Sequence, residues 1–259
     1  MSRQSGGAQL VGFDRRGRRC SIWVRTAPAG SGIVFNNTLR ACVWQAQARD
    51  HATWLTNGCE RVGMIEHLLA ACIGLGVEDL EVEADGEELP LGDGSALPYV
   101  RLLQRAGVTR QRNKPLRLRR SLIARCGSRF VAALPGQELS LTCIAKVPGG
   151  KEMLCRAKVT SAEFVRRLAP ARTFARRRGD PAVLQRRLGL RFVLENRSGW
   201  VVPHRRRFAD EECRHKVLDL LGDVALIGRR VNARLVAFCP GHELNLALVR
   251  EMAGNLEAE

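Results

Sequence analysis

Aromatic side chains are scarce in this chain. They make up 5% of its 259 residues, and one tyrosine is present. Proteins that bind single-stranded nucleic acid stack successive bases on exposed aromatic rings. A chain with so few rings has little material for such a platform, so the composition argues against a nucleic-acid partner.

The chain also lacks any long apolar run. The longest, residues 68–77, falls well short of the roughly 20 residues that cross a bilayer as a helix. The first 19 residues are polar, glycine-rich and basic, unlike the apolar core of a secretory signal peptide. We therefore expect no transmembrane segment and a cytoplasmic location.

Paired-cysteine motifs and the common nucleotide-binding motifs are absent as well. The nine cysteines are odd in number and scattered, without a Cys-x-x-Cys pair. This argues against a disulfide framework or a cysteine-type zinc site, and it fits reduced thiols in a cytoplasm. There is no Walker-type loop, Gly-x-Gly-x-x-Gly, His-Glu-x-x-His or Gly-x-Ser-x-Gly, so the usual phosphate, dinucleotide, zincin and hydrolase signatures are missing.

What the chain does have is positive charge. Its formal net charge is +16, and arginine supplies nearly all of it. Such a surface attracts phosphates, nucleic acid or anionic lipid headgroups, so we consider peripheral contact with an anionic membrane surface. An arginine-biased genome would give the same composition without any partner, and the charge alone does not separate these interpretations.

A polar stripe lies on an otherwise apolar predicted helix over residues 211–227. His215, Asp219 and Asp223 stand at i, i+4 and i+8, within roughly an 80° arc of the helix surface. Burying such groups without compensation costs several kcal/mol, so they must face water or hold a cation. A histidine and a carboxylate one turn apart can ligate one divalent metal. The spacing alone leaves both interpretations open.

The order of predicted elements is similar in the two halves of the chain. Strands are followed by a helix predicted over residues 61–74, then by a strand and a second helix. After a basic segment, the second half again runs from strands to helices, so we place the domain boundary between residues 112 and 113. Each half has a histidine near the start of a helix, His67 and His215, which hints at an internal duplication.

Five motifs in order carry a resemblance to a known family. They span about residues 11–253 and resemble the zinc-dependent UDP-3-O-acyl-N-acetylglucosamine deacetylases of lipid A biosynthesis. The resemblance implies an α+β fold of two similar domains, each a sheet packed on helices, with the active site at the domain interface. The motifs are Ile65-Glu66-His67-Leu68-Leu69-Ala70-Ala71, Gly92-Asp93-Gly94-Ser95-Ala96, Ala171-Arg172-Thr173-Phe174, Arg214-His215-Lys216-Val217-Leu218-Asp219 with Gly222-Asp223, and Gly241-His242-x-Leu244-Asn245.

The resemblance also implies the metal site. Zn²⁺ would be held by His67, His215 and Asp219, with water in the fourth position, which is the usual arrangement of catalytic zinc. Fe²⁺ could substitute for it. Glu66 would take the proton of the attacking water.

Three further residues receive roles from the same resemblance. His242 would protonate the leaving amine, and Asp223 would orient His242 and stabilise its charge. Thr173 would help to hold the oxyanion. Beside these, we expect Lys216 to reach a substrate phosphate and Phe174 to pack on the sugar.

The chain departs from the family pattern in three places. Asp14 stands where the family has a histidine in its first turn, and the first strand is expected to be short or missing. The segment over residues 186–208, which corresponds to the acyl-chain passage, is trimmed and very basic. The acyl-chain length and the identity of the substrate therefore stay open, as do the oligomeric state and the metal loaded in the cell.

We predict removal of the N-acetyl group from UDP-3-O-acyl-N-acetylglucosamine, with release of acetate. Three alternatives remain at this point. The chain could be a related deacetylase acting on another N-acylated amino sugar, a basic nucleic-acid-binding protein on the same scaffold, or a metal-binding scaffold without turnover.

Overall fold

A computed structural model describes residues 6–111, 113–147, 150–176, 192–195, 200–203 and 205–258. Over these ranges the fold is α+β, with sheets packed on helices. None of the helices in the described ranges has the length and apolar character needed to span a bilayer.

The first domain consists of short strands followed by a helix, a strand and a helix. Its main sheet has the strand order β1-β2-β8-β3-β4, and β5, β6 and β7 form a separate three-stranded sheet. Alternate side chains of the second strand, Cys20, Ile22 and Val24, are buried under the helices. The elements are β1 (Ala8–Phe13), β2 (Arg19–Thr26), β3 (Ile33–Phe35), β4 (Leu39–Arg40), β5 (Ala46–Arg49), β6 (Ala52–Thr56), β7 (Arg61–Gly63), α1 (Glu66–Leu75), β8 (Leu80–Asp85) and α2 (Leu97–Arg105).

The second domain has a larger sheet with the order β10-β11-β17-β12-β13, to which β9 and β18 attach beside β17. A second, three-stranded sheet has the order β14-β16-β15. The elements are β9 (Leu116–Leu118), β10 (Leu122–Cys126), β11 (Arg129–Pro135), β12 (Ser140–Lys146), β13 (Glu152–Lys158), α3 (Ser161–Glu163, continued by a π-helical turn over Phe164–Leu168), β14 (Ala175–Arg176), β15 (Phe192–Glu195), β16 (Trp200–Pro203), α4 (Glu211–Val224, continued by a 3₁₀ turn over Ala225–Ile227), β17 (Val231–Phe238), α5 (His242–Ala253) and β18 (Leu256–Ala258).

The two main sheets have the same topology. In each, a first hairpin (β1-β2 or β10-β11) and a second hairpin (β3-β4 or β12-β13) flank a strand that arrives later in the chain, β8 or β17. That late strand pairs parallel with one neighbour and follows a helix, α1 or α4. The internal duplication suggested by the two histidines is therefore present in the strand order.

Helices α1, α2, α4 and α5 lie on the inner faces of the two sheets. α1 packs against α4 across the domain interface, α2 packs on α1 and β1, and α5 packs on α4, β10 and β11. The two-domain α+β architecture with the site between the domains is thus confirmed. The predicted boundary at residues 112 and 113 lies in the connection between α2 and β9 and stays a prediction.

Two element predictions in the first domain were wrong. The helix predicted from residue 61 begins only at Glu66, because Arg61–Gly63 pairs with β6 and Met64 adopts a left-handed backbone with φ of 60°. The first strand is neither short nor missing, since Ala8–Phe13 pairs with β2 along its whole length. Its apolar pattern is weak because Val11 and Phe13 point outward and are 47% and 42% exposed.

One strand prediction in the second domain was also wrong. The strand expected over residues 116–124 is two strands, β9 and β10, which pair with different neighbours. The residues between them form a bend, and Arg119 there donates its backbone N–H to the carbonyl of Asn255. Because this bend is held by a tertiary hydrogen bond, no change in the alternation of apolar residues marks it in the sequence.

The backbones of α4 and α1 approach closely at Gly222 in α4. A Cβ at this position would lie 2.1 Å from the carbonyl oxygen of Glu66 at the start of α1. Only glycine allows the two helix backbones to come so near. This contact fixes the distance between the functional residues that the two helices carry.

Replacing Gly222 by alanine should destabilise the protein, although alanine favours a helix interior over glycine by roughly 1 kcal/mol. Overpacking typically costs 1–3 kcal/mol, and we expect about 3 kcal/mol here because the obstructing atoms are backbone. The measurement is the free energy of unfolding in urea, with a chelator present so that metal binding does not contribute. Gly254→Ala is the control, because its Cβ would approach nothing nearer than 3.8 Å. Equal stability of the two variants would contradict the packing argument.

Candidate active site

Three side chains with metal-binding atoms meet where α1 and α4 touch. His67 lies in the first turn of α1, and His215 and Asp219 stand one turn apart on α4. All three are buried, and their ligand atoms lie within 4.8 Å of one another. Asp219 Oδ1 is 3.3 Å from His215 Nε2 and 3.9 Å from His67 Nε2. The structure thus brings together the three predicted metal ligands.

Both imidazoles are neutral, which is the form that binds metals. Burial, reinforced by the nearby His215, lowers the pKa of His67 to about 3. Burial also lowers the pKa of His215. His215 Nδ1 lies 3.1 Å from the carbonyl oxygen of Ala171 and must donate to it, so Nε2 presents a lone pair on the side of Asp219.

Asp219 is ionised despite its burial. Burial alone would raise the pKa of this carboxyl, but its interactions with His215 and with the charged Lys216 hold that pKa well below its usual range. Lys216 donates from Nζ to Asp219 Oδ2 at 2.9 Å, which leaves Oδ1 facing the two histidines. Lys216 therefore holds one oxygen of the carboxylate and orients the other.

This donor set fits a divalent metal. Two neutral imidazoles and one carboxylate are typical of catalytic zinc, which keeps a fourth position for water or substrate. The alternative that the polar stripe of α4 faces water is wrong, because His215, Asp219 and Asp223 are 2%, 4% and 0% exposed.

A second polar cluster is centred on Thr53, a fully buried residue of β6. Its backbone N–H donates to Glu66 Oε2 at 3.1 Å. Its hydroxyl lies 2.5 Å from Asp223 Oδ1 and 2.9 Å from His242 Nδ1. Thr53 therefore contacts all three groups predicted to act as base, orienting carboxylate and acid.

The proton positions in this cluster follow from the chemistry of its groups. An ionised carboxylate only accepts hydrogen bonds, so the Thr53 hydroxyl donates to Asp223 and offers a lone pair to His242. His242 Nδ1, which is also 2.9 Å from Asp223 Oδ2, therefore carries a hydrogen. The proton that His242 can gain or lose is the one on Nε2.

The pKa values of the two predicted proton carriers are displaced upward. Burial would lower the pKa of His242, but the charge of Asp223 and its hydrogen bond raise it to about 9. Burial raises the pKa of Glu66 to about 7. His242 is thus a cation at neutral pH, and Glu66 can both lose and accept a proton there, as acid–base catalysis requires.

Two loops carrying sequence motifs are joined by backbone hydrogen bonds. Ala96 N–H donates to the Ala169 carbonyl at 3.0 Å, and Thr173 N–H donates to the Gly94 carbonyl at 2.7 Å. These bonds place Thr173 directly beside the glycine-rich loop over residues 92–96.

Phe174 and Lys216 lie next to the ligand cluster. The Phe174 ring centroid is 6.2 Å from that of His215, and Lys216 Nζ is 5.3 Å from the Phe174 ring centroid. The Phe174 ring therefore forms an apolar surface close to one of the metal ligands.

Glu211, in the first turn of α4, holds the two loops over residues 92–96 and 171–174 through hydrogen bonds. Its buried carboxylate accepts hydrogen bonds from the Arg172 N–H at 3.0 Å, from Arg172 Nε at 2.8 Å and from the Arg207 N–H at 2.6 Å. Arg207 in turn donates to Asp93 Oδ2 at 2.8 Å. Both loops are thereby tied to the helix that carries His215.

Asp14, which stands where the family has a histidine, stabilises a turn. It is 2% exposed and accepts hydrogen bonds from the N–H groups of Arg16 and Arg18 at 2.9 and 2.8 Å. Arg18 Nε also donates to it at 2.6 Å. Asp14 therefore closes the turn between β1 and β2.

Two histidines received no role at the site from the sequence, and one segment departs from the family pattern. His51 is exposed, as expected for a surface residue. His204 lies outside the described residues, and so do residues 186–191 and 196–199 of the altered segment over residues 186–208.

Sequence reasoning missed three residues that support the site: Thr53, Glu211 and Asn245. Asn245 Nδ2 donates to Asp223 Oδ2 at 2.8 Å. Asn245 was part of a recognised motif without a role, whereas Thr53 lies in an unremarkable strand and had no local signal. Glu211 was visible only as an acidic residue at a helix start.

Comparison with known proteins supports the same assignment. A sequence profile described as LpxC, UDP-3-O-acyl N-acetylglycosamine deacetylase, matches residues 9–254, which is nearly the whole chain. The chain belongs to this deacetylase family. The resemblance inferred from the five ordered motifs is therefore confirmed. Members of this family are metal-dependent, and the cluster of His67, His215 and Asp219 is the candidate metal site.

Relatives named UDP-3-O-acyl-N-acetylglucosamine deacetylase match over 80–92% of their own length. The protein from Myxococcus xanthus is 34% identical over 252 residues, which cover 91% of this chain and 80% of the relative. The protein from Solibacter usitatus is 33% identical, with coverage of 90% and 84%. The protein from Chlamydia pneumoniae is 29% identical, with coverage of 93% and 92%.

The two carboxylates of α4 should respond differently to substitution. Asp219→Asn should lose most of its bound metal, because one of three ligands becomes a weak neutral donor. Asp223→Asn should keep the wild-type stoichiometry, because Asp223 faces His242 and Thr53 instead. The measurement is metal content by mass spectrometry after dialysis. Equal metal contents in the two variants would contradict the ligand assignment.

Proposed function

We propose that this chain hydrolyses the N-acetyl group of UDP-3-O-acyl-N-acetylglucosamine, an early step of lipid A biosynthesis, with zinc as its metal. One observation carries the proposal. A buried set of three metal-ligating side chains lies beside a carboxylate and a cationic histidine whose pKa values are about 7 and 9. Amide hydrolysis needs this combination of an electrophilic site, a base and an acid.

His67, His215 and Asp219 would hold the metal. Zinc, when bound, supplies Lewis acidity, which lowers the pKa of water to about 7 and polarises a carbonyl group. Iron would occupy the same ligands, so the ion present in the cell is decided by measurement.

Glu66 is proposed to act as the base. Its carboxylate takes a proton from the attacking water while the water oxygen forms a bond to the acetyl carbon. The hydrogen bond from the Thr53 N–H to Oε2 fixes the carboxylate, which leaves Oε1 for the proton. The Thr173 hydroxyl would donate a hydrogen bond to the carbonyl oxygen as negative charge develops there.

His242 is proposed to act as the acid. When the bond between the acetyl carbon and nitrogen breaks, the electron pair stays on nitrogen, which takes the proton from His242 Nε2. An amine leaves poorly without this proton. The negative charge of Asp223 keeps His242 protonated until that moment, and the products are acetate and the free amine.

Thr53 is proposed as the positioning residue between base and acid. Its main chain holds Glu66 and its side chain holds both Asp223 and His242, so one rigid strand residue fixes the separation of the two proton carriers. It contacts neither the metal-ligand atoms nor, on this proposal, the substrate.

Substrate contacts follow less directly from the described residues. Phe174 is proposed to pack on the sugar, and Lys216 to contact a phosphate near its bond with Asp219. The segment over residues 186–208 is proposed to set the acyl-chain length, and the alternative substrate is another N-acylated amino sugar. Peripheral contact with an anionic membrane is a prediction, and the low aromatic content argues against a nucleic-acid partner.

The proposed function is tested with Glu66→Gln. This variant should keep its metal and lose activity on UDP-3-O-acyl-N-acetylglucosamine by about a hundredfold or more, because the amide cannot accept the proton of water. Glu243→Gln is the control, since Glu243 follows His242 but is exposed. Full activity in Glu66→Gln would remove the base assignment. A wild-type protein that deacetylates only simple N-acetyl sugars would instead favour the related-deacetylase alternative.

Thr53 should tolerate serine but not valine. Valine has nearly the same shape but lacks the hydroxyl, so His242 and Asp223 lose a shared partner, and we expect kcat to fall by about tenfold or more with KM little changed. Serine keeps the hydroxyl and should restore most of kcat. The measurement is steady-state kinetics at matched metal content. Equal loss of kcat in both variants would indicate a packing effect and contradict the positioning role.

A further inference from the structure

The outward face of the second-domain sheet is unusually apolar for a surface in contact with water. Residues such as Val131, Ala133 and Leu141 point inward to α4 and α5 and are almost completely buried. Their neighbours along each strand point the other way, because side chains alternate across a sheet. These outward residues are Ile123, Arg125, Phe130, Ala132, Leu134, Ser140, Thr142, Ile144, Lys146, Glu152, Leu154, Arg156, Lys158, Arg234, Val236 and Phe238, and all are half-buried or exposed.

Strand register joins the apolar members of this face into continuous rows. One row crosses five strands as Arg125, Phe130, Phe238, Ile144 and Leu154. The Phe130 and Phe238 rings stack with centroids 6.3 Å apart, and Leu154 is 47% exposed.

A second row lies directly beside the first. It crosses the same five strands as Ile123, Ala132, Val236, Thr142 and Arg156, and Ile123 is 41% exposed. The two rows make one apolar strip with a cationic residue at one end of each.

The charges around this strip are almost all positive. Arg125, Arg156 and Arg234 have no carboxylate within ion-pair distance among the residues that the structure describes. Lys146 is paired loosely with Glu152 at 3.8 Å, and its Nζ also lies 5.6 Å from the Phe238 ring centroid. Lys158 is paired with Glu138 at 2.6 Å. An apolar centre is thus flanked by an excess of cations, and Glu152 is the one carboxylate among the outward residues named above.

The equivalent face of the first domain is different, although the sheet topology is the same. Its central strand β8 points Glu81, Glu83 and Asp85 outward, and Arg25 is engaged by Glu81. That face has negative charge at its centre. The basic, apolar surface is therefore a property of the second domain and not of the fold.

We propose that this outward face of the second-domain sheet is a peripheral docking surface for bilayers that contain anionic phospholipid. Apolar side chains would enter the interface between headgroups and acyl chains, while the surrounding arginines and lysines would meet lipid phosphates. The ligand cluster lies on the other side of this sheet, beside α4, so docking leaves the domain interface accessible. The proposal rests on this surface alone and does not depend on the deacetylase assignment.

Two other occupants fit the surface less well. A second copy of the chain would bring the same cationic residues against each other, which opposes association in a protein of net charge +16. A nucleic acid would satisfy the cations but would place polar phosphates and sugars against phenylalanine, isoleucine and leucine.

The test measures partition of the full-length protein into vesicles by flotation, with phosphatidylcholine alone and with phosphatidylglycerol added. The wild type should float only with the anionic vesicles and should be released by salt. Arg125→Glu with Arg156→Glu should weaken the partition coefficient by about thirtyfold or more, since the loss of each cation near the surface costs about fivefold and the new carboxylates are repelled. Ile123→Ser with Leu154→Ser should weaken it without changing the charge.

The matched control is Arg19→Glu with Arg40→Glu, which changes the net charge equally on exposed residues of the first domain. It should bind vesicles nearly as well as the wild type. All variants should retain wild-type circular dichroism and hydrolytic activity on dispersed substrate, because no changed residue belongs to the site. Equal loss in the control, equal binding to neutral vesicles, or no vesicle binding would overturn the proposal. Duplex DNA binding or self-association that is lost in the second-domain variants, without vesicle binding, would overturn it in favour of those partners.

Discussion

The contact between α1 and α4 is the constraint on which the site depends. Gly222 lets the α4 backbone lie against the carbonyl of Glu66, nearer than any side chain would permit. His67 follows Glu66 directly, and His215 and Asp219 lie two and one turns before Gly222 on the facing helix. Because both helices are buried, a change in their separation would move all of these groups together. The ligand cluster is therefore a consequence of backbone packing as much as of side-chain chemistry.

Around this contact the buried charges divide into two groups with different tasks. The Asp219 carboxylate contacts His215 and Lys216 and belongs to the ligand cluster. Asp223, one turn further along α4, faces His242 and Thr53. A single helix stripe thus serves both sides of the proposed reaction. Each buried carboxylate has cationic or hydrogen-bonding partners, which is why so much charge can be tolerated inside the protein. The electrostatic arrangement also separates the pKa values of the proton carriers from those of the ligands.

The parts of the site that were predictable are those with a local signature. The stripe of α4 appears in the sequence because helical spacing places His215, Asp219 and Asp223 on one line, and the conflict between charge and burial marks it as unusual. Thr53 could not be found in this way, because its partners Asp223 and His242 are 170 and 189 positions away in the chain. Only tertiary structure reveals such a contact.

Element prediction failed for related reasons. The helix start near residue 61 was misplaced because strand pairing with β6 and the left-handed backbone of Met64 override the apolar period. β1 was underestimated because its outward residues Val11 and Phe13 obscure the alternation of a half-buried strand. The repeated strand order of the two halves, in contrast, was indicated in the sequence by the similar order of predicted elements and by a histidine near the start of one helix in each half.

The division of the ligands between two similar halves has a consequence for biogenesis. Neither half offers a complete coordination set, since one contributes a single imidazole and the other an imidazole and a carboxylate. A nascent chain whose second half is not yet synthesised would bind the ion only weakly. Tight binding would begin after α4 has packed against α1. Occupancy by the ion would then mark the completed molecule, and metallation before synthesis is finished would be disfavoured.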